Sequence, residues 1–137
     1  MKGAFTISRS SLTTIPTVWV EISEDGQIGR AECRPYKRYG DTVESVMQQI
    51  ESLRGDIESG LKAEELQSRI APGPARNALD CALWDLTSKE YGQSVSNLLG
   101  LPKPKPRITA YTLSLQSPSE MAAAARKAED YPVLKVK

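Results

Sequence analysis

Histidine is absent from the 137 residues, and that single gap removes a large share of enzyme chemistry. Ser-His-Asp and Cys-His nucleophile systems cannot be built from this chain alone, and the commonest metal ligand is missing. Acid–base work is left to Lys, Asp, Glu or Tyr. Cysteine is scarce as well. Cys33 and Cys81 lie far apart with no C-x-x-C partner, which argues against zinc-ribbon and dithiol redox readings and predicts reduced thiols filling small core volumes. No apolar run approaches the length of a membrane span, and Met1 opens no charged-then-apolar leader. Neither sign of charge dominates. Eighteen basic residues against seventeen acidic ones leave +1, so no pull toward nucleic acid or a membrane surface is expected. The expectation is a cytoplasmic protein.

What is present begins with β signals. "GAFTIS" (residues 3–8) alternates weakly, and "TVWVEIS" (residues 17–23) is rich in β-branched and aromatic residues. Asp25-Gly26 then supplies a two-residue turn and "QIGRAEC" a returning strand, which predicts a hairpin. Helical spacing takes over at Val43, Val46, Met47, Ile50, Leu53 and Ile57, with Asp41 as the expected N-cap and Glu44 three positions on. A short helix follows in "LKAEELQSRI", and "APGPA" breaks the chain. The strongest helical pattern runs from about Ala75 to Tyr91, with Ala78, Leu79, Ala82, Leu83 and Leu86 on one face and Gly92 as its stop.

The stretch "PKPKPR" carries three prolines in five residues. Proline lacks the N–H and fixes φ, so an extended linker is expected at 102–106, between a first domain at 1–101 and a second segment at 107–137. Beyond it the order is strand ("RITAYTLSL"), helix ("SPSEMAAAARKAEDY") and strand ("PVLKVK"). Ser117, Pro118 and Glu120 form an N-cap, first-turn proline and capping-box set. A strand–helix–strand unit calls for parallel pairing and for further units beside it, as in an α/β barrel.

On the last strand, Lys135 and Lys137 stand two residues apart and therefore share a face. Taken alone, such a pair is either a solvated strand end or the start of a site. Asp80 and Asp85, five residues apart on a helix, project on different faces and do not form a carboxylate dyad. A tie between domains is the reading for Asp85, Trp84, Arg76 and Asn77.

In this order, several segments resemble the enolase superfamily, within its muconate-cycloisomerase-like group and nearest to its dipeptide epimerase branch. "AECRPYKRYGDTVESVMQQI" is similar to the loop and first helix of that family's capping domain, "ARNALDCALWDL" to its signature helix, "ITAYTLSLQSPSEMAAAA" to the first barrel strand and helix, and "LKVK" to a Lys-x-Lys strand. The implied fold is α+β: an N-terminal capping domain of antiparallel hairpin or meander followed by helices, then the first β-α-β of a truncated (β/α) barrel. Two departures accompany the resemblance. The family begins with a further strand and turn, roughly fifteen residues by ordinary element lengths, before the segment matching "GAFTIS". Its Asp, Glu and Asp metal ligands belong to barrel strands beyond Lys137, so the chain is expected to be the N-terminal part of such an enzyme.

The resemblance implies a Mg²⁺-dependent 1,1-proton transfer through an enolate at the α-carbon of a dipeptide's C-terminal residue, with an Ala-Glu-like substrate. It makes Lys137 the catalytic acid/base and Lys135 the neighbour that favours the neutral amine and meets the substrate carboxylate. A lysine base must shed its proton near neutral pH, which a nearby cation and partial burial both favour. The same resemblance points to Arg9 for a glutamyl carboxylate, to Tyr36, Arg38 and Tyr39 in "RPYKRYG" for closure over substrate, and to Thr112 on the first barrel strand. Solvated loop positions explain Arg9, Tyr36, Arg38 and Tyr39 equally simply, and β-propensity explains Thr112. No metal ligand is expected within these residues, and no catalysis from this chain by itself. Two other functions stay open: a muconate cycloisomerase or o-succinylbenzoate synthase, and a non-catalytic capping or interaction module. The open strand edges of the β-α-β piece predict that it docks on the capping domain or pairs in a homo-oligomer.

Overall fold

The structure, a computed structural model, describes residues 4–137; Gly3, placed by the sequence in the first strand, lies outside them. In chain order come β1 (Phe5–Ile7), β2 (Ser10–Leu12), β3 (Val18–Glu24) and β4 (Gln27–Cys33), then a 3-10 turn at Lys37–Tyr39. Five helices follow: α1 (Val43–Ser52), α2 (Arg54–Glu58), α3 (Ala63–Arg69), α4 (Pro74–Glu90) and α5 (Val95–Leu98). The chain finishes with β5 (Tyr111–Leu113), α6 (Pro118–Lys127) and β6 (Leu134–Val136). These elements gather into two compact units, Pro16–Lys103 and a second made of residues 4–15 with Pro104–Lys137.

In the Pro16–Lys103 unit, β3 and β4 pair antiparallel from Val18 opposite Cys33 to Glu24 opposite Gln27. Asp25 and Gly26 both take positive φ, 46° and 79°, the backbone of the tight hairpin turn that their sequence calls for. Val18, Val20 and Cys33 turn inward against α4, whose buried face is Ala75, Ala78, Leu79, Ala82 and Leu83. The alanines let strand and helix approach closely, and Gly29 marks the nearest point. A Cβ there would land on the Ala82 carbonyl oxygen and sit 2.7 Å from Leu86 Cβ. Val46 of α1, Leu66 of α3 and Leu79 of α4 are fully buried, each worth about 1.5–3 kcal/mol of apolar burial.

Helix ends follow local chemistry, with one correction. The N-cap of α1 is Thr42, not Asp41: Thr42 Oγ1 accepts the Ser45 N–H at 3.0 Å and Ser45 Oγ accepts the Thr42 N–H at 3.0 Å. A reciprocal box needs an N3 side chain that reaches back, and Ser45 does this for Thr42. Pro74 occupies the first turn of α4, where its missing N–H costs nothing. Gly92, at φ 60°, ends that helix; the Gln93 N–H donates to Ser88 O at 3.0 Å and the Gly92 N–H to Lys89 O at 3.2 Å, the paired bonds of a Schellman stop.

In the other unit, β1 and β2 form a short antiparallel hairpin with Ser8 and Arg9 at its turn. β5 and β6 pair in parallel, with Tyr111 opposite Leu134, Thr112 opposite Lys135 and Leu113 opposite Val136. The strands expected over 107–115 and 132–137 are thus three residues each, because among the described residues neither has another strand beside it. Ser117 caps α6 as expected: its Oγ accepts the Glu120 N–H at 3.4 Å, and Glu120 Oε2 accepts the Ser117 N–H at 3.1 Å. Residues 4–15 also bond to the segment that leaves β5: the Leu115 N–H donates to Thr6 O at 2.9 Å and Ser114 Oγ to Ala4 O at 3.3 Å.

Candidate functional site

Sequence-predicted site residues fall in both units. On the β5–β6 pair, period-2 alternation sets Thr112 and Ser114 on one face of β5 and Lys135 and Lys137 on one face of the β6 segment. The register puts Thr112 beside Lys135 across the ladder, so the hydroxyl and both amines share a face. Thr112 and Ser114 are half-buried; both lysines are exposed. Lys137 follows the last residue of β6 and so stands at the C-terminal end of the parallel strands. Side chains at that end are the ones that meet substrate in (β/α) barrels.

Arg9 reaches the same end by a different route. It sits, exposed, at the tip of the β1–β2 hairpin, and the Thr6–Leu115 and Ala4–Ser114 hydrogen bonds fasten that hairpin beyond the C-terminal end of β5. A guanidinium on a two-residue turn is free to swing, which suits capture of a carboxylate by paired N–H donors. Ser114 acts here as the fastening. Nothing local in the sequence foretells its partner more than a hundred residues away.

The Arg34–Gly40 loop belongs to the other unit. Arg34, Pro35, Tyr36 and the 3-10 turn follow β4 directly, and Gly40, at φ 87°, closes the turn. Tyr36 is half-buried between two neighbours: the Arg34 guanidinium lies 4.7 Å from its ring centroid, and the Tyr39 ring centroid is 5.5 Å away. Arg38 and Tyr39 project into solvent, Tyr39 with 78% of its surface exposed. The loop therefore has a held ring, Tyr36, an exposed Tyr39 ring packed against it, and an exposed Arg38. Arg34 went unremarked in the sequence because cation–π stacking leaves no periodic signal.

Both tempting acids on α4 have structural partners. Asp80 Oδ1 accepts from Gln67 Nε2 at 3.1 Å, joining α3 to α4. Asp85 Oδ2 accepts the Arg30 N–H at 2.7 Å and Lys89 Nζ at 2.6 Å, joining α4 to β4. The two carboxylates do face different neighbours, and Asp85 makes its ties within its own unit. Lys89 beside it holds the Asp85 carboxyl below the usual aspartate range. Cys33 is buried as expected, whereas Cys81 is exposed on α4 and fills no core volume; partial desolvation pushes both thiols up, away from thiolate chemistry. Among the described residues no three of Asp, Glu and Cys gather as metal ligands, so this chain's described side chains do not fit the Mg²⁺ that the resemblance implies. Nor is any described helix long and apolar enough to cross a membrane.

Comparison with known proteins agrees with this architecture. Residues 1–100 match the family described as mandelate racemase / muconate lactonizing enzyme, N-terminal domain. The L-Ala-D/L-Glu epimerase of Escherichia coli (strain K12) is 46% identical over 121 residues, 88% of this chain and 38% of that protein. The N-acetyl-D-glutamate racemase of a Pseudoalteromonas species is 37% identical over 123 residues, 86% of this chain and 38% of that protein. Among solved structures, an enolase family member from Agrobacterium tumefaciens with homology to dipeptide epimerases, holding sodium and L-Ala-L-Glu, superposes with a TM-score of 0.93 at 43% identity. That match covers 99% of this chain and 42% of that one. The chain thus spans about two-fifths of the length of the proteins it matches. It belongs to the mandelate racemase / muconate lactonizing enzyme N-terminal domain family of the enolase superfamily.

Proposed function

We propose that this chain is the capping domain, linker and first β-α-β unit of a dipeptide epimerase that acts on L-Ala-D/L-Glu or a similar N-acylated glutamate. The observation that carries the reading is the shared face of Thr112, Lys135 and Lys137, which ends at the C-terminal edge of two parallel strands. The hairpin bearing Arg9 is fastened beyond that same edge. In this reading the neutral Lys137 amine takes the proton from the α-carbon of the substrate's C-terminal residue. The C–H electron pair passes into the adjacent carboxylate as an ene-diolate, and a proton returned to the opposite face inverts the centre. Lys135 meets the substrate carboxylate, Thr112 lines the same face, and Arg9 pairs with the glutamyl side chain. Tyr36, Arg38 and Tyr39 close over the bound molecule from the capping domain.

Two relatives support the substrate class from different directions. One is named for Ala-Glu and the other for N-acetyl-glutamate; both substrates present an amide nitrogen, an α-proton and a carboxylate in the same order. The group that returns the proton, and the ligands for Mg²⁺, are assigned to the rest of the enzyme. A cytoplasmic setting is supported by two unpaired cysteines, Cys33 and Cys81.

The test is α-proton exchange in D₂O with the intact enzyme that contains this chain. Deuterium entering the glutamyl α-position of L-Ala-L-Glu, with the D-Glu epimer appearing, is the expected result. Exchange confined to N-acetylglutamate would move the assignment to a racemase. Turnover of a muconate or succinylbenzoate skeleton without dipeptide exchange would overturn it.

A further inference from the structure

The chain leaves β4 in an alternating order of inward and outward side chains. Cys33 and Pro35 are buried, Arg34 is exposed and Tyr36 is half-buried. Proline drives the residue before it into extended backbone, and Tyr36 is extended as well, at φ −122° and ψ 103°. Period-2 alternation therefore sets Arg34 and Tyr36 on one face, with the backbone around them pinned by the buried Cys33 and Pro35. The 3-10 turn follows, closed by the Tyr39 N–H donating to Tyr36 O at 2.8 Å. Residues three apart in such a turn eclipse, which brings the Tyr39 ring beside that of Tyr36. Arg34, Tyr36 and Tyr39 thus form one stack. The Arg34 guanidinium lies 4.7 Å from the Tyr36 ring centroid, and the two rings are 5.5 Å apart with their planes at 36°.

Among the described residues no ion pair engages the Arg34 cation, so the ring is its contact. A stack whose outer members, Arg34 and Tyr39, are both exposed buries little apolar surface and adds little to fold stability. What it fixes is the rotamer of Tyr36. We propose, on the reading that Tyr36, Arg38 and Tyr39 close over the substrate, that Arg34 is a positioning residue of this loop. Its guanidinium holds the Tyr36 ring in the conformer that receives the dipeptide, and the turn carries Tyr39 with it. Arginine suits the task because its planar cation stacks on an aromatic face and keeps its charge at any working pH. A cation on the ring face leaves the hydroxyl at the ring edge open to a ligand. Arg34 itself touches neither the substrate nor the transferred proton. It raises the fraction of enzyme in which Tyr36 is already set, and apparent affinity scales with that fraction.

The test is steady-state epimerisation of L-Ala-L-Glu by the intact enzyme that contains this chain. Arg34→Ala is expected to raise KM about two- to fivefold, the population factor of one exposed cation–π contact, with kcat unchanged. Arg34→Lys should recover only part of this, because a compact ammonium lacks the planar face. A double-mutant cycle with position 36 isolates the stack. In Tyr36→Phe, which keeps the ring, Arg34→Ala should raise KM by the same factor as in the parent. In Tyr36→Leu, which by itself raises KM, Arg34→Ala should have no further effect. If Tyr36→Leu raises KM and Arg34→Ala does not, the positioning role is overturned while the loop keeps its part in closure. An Arg34→Ala effect that persists undiminished in Tyr36→Leu overturns the role too, and gives Arg34 a direct contact with the substrate instead. If Tyr36→Leu leaves KM at the parent value, the loop's part in closure falls and the role of Arg34 falls with it.

Discussion

Asp85 and Lys89, one turn apart on α4, meet at 2.6 Å, and together they hold the edge of β4: Asp85 accepts the Arg30 N–H and Lys89 donates to Ile28 O. The pair is bound to backbone on the neighbouring element, which distinguishes it from the solvated i,i+4 pairs that contribute little. Because the Asp85 carboxyl is held below its ordinary 3.8, its contribution to stability is fully present above that value. It is lost as pH falls through the lower folded-state value. Asp85→Asn is expected to cost about 1–2 kcal/mol at neutral pH, as a charge-assisted hydrogen bond at a partly solvated site should. Urea denaturation at pH 7 and near pH 3 checks this, with the difference between variant and parent shrinking at the lower pH.

Gly29 gives a sharper steric test. A methyl group there overlaps the Ala82 carbonyl and crowds Leu86, and backbone on both sides leaves no flexible side chain to yield. Gly29→Ala is expected to cost about 3 kcal/mol, the upper end for overpacking, seen as a lowered urea midpoint with the slope unchanged. Gly55→Ala, where the added methyl meets nothing within 4 Å, is the control, and it should leave the midpoint within a few tenths of a kcal/mol or raise it.

The contrast between elements shows where sequence reasoning succeeds. The β3–β4 hairpin and α4 were readable because their signals are local: an Asp-Gly turn, a 3.6-residue apolar period, a glycine stop. The β1–β2 hairpin was not, since its turn at Ser8 and Arg9 lacks the glycine, asparagine or aspartate that marks a two-residue hairpin turn, and its second strand is Ser10-Ser11-Leu12. The lengths of β5 and β6 depend on which strands lie beside them, which no local pattern carries. In the candidate site, alternation alone foretold that Lys135 and Lys137 share a face. That Thr112 lies across from Lys135 is a matter of register, and that Arg9 is fastened to β5 is a matter of two hydrogen bonds to distant residues.

Exposed apolar residues in the second unit lead to a prediction about association. Ile108 is 74% exposed, Val136 66% and Tyr111 43%, and β5 and β6 each have an unpaired edge. Such surfaces favour edge-to-edge or face-to-face pairing. The purified 137-residue chain is expected to self-associate as its concentration rises, and Val136→Lys to suppress this. Sedimentation velocity over a concentration series decides; a monomer throughout would show that these surfaces are otherwise satisfied.

The role given to Lys137 separates charge from proton transfer. If its amine takes the substrate's α-proton, an arginine at the same place keeps the cation but cannot lose its proton near neutral pH. In the intact enzyme, Lys137→Arg and Lys137→Ala are both expected to lower kcat by about 10²–10⁴-fold, the range for loss of a general base. KM should change far less, because the carboxylate contact is assigned to Lys135. Added ethylamine should restore part of the activity of Lys137→Ala, where the lost side chain leaves room for an external amine, and none to Lys137→Arg. A Lys137→Arg variant that exchanges the α-proton at the parent rate would assign Lys137 to the electrostatics of the site and place the base elsewhere.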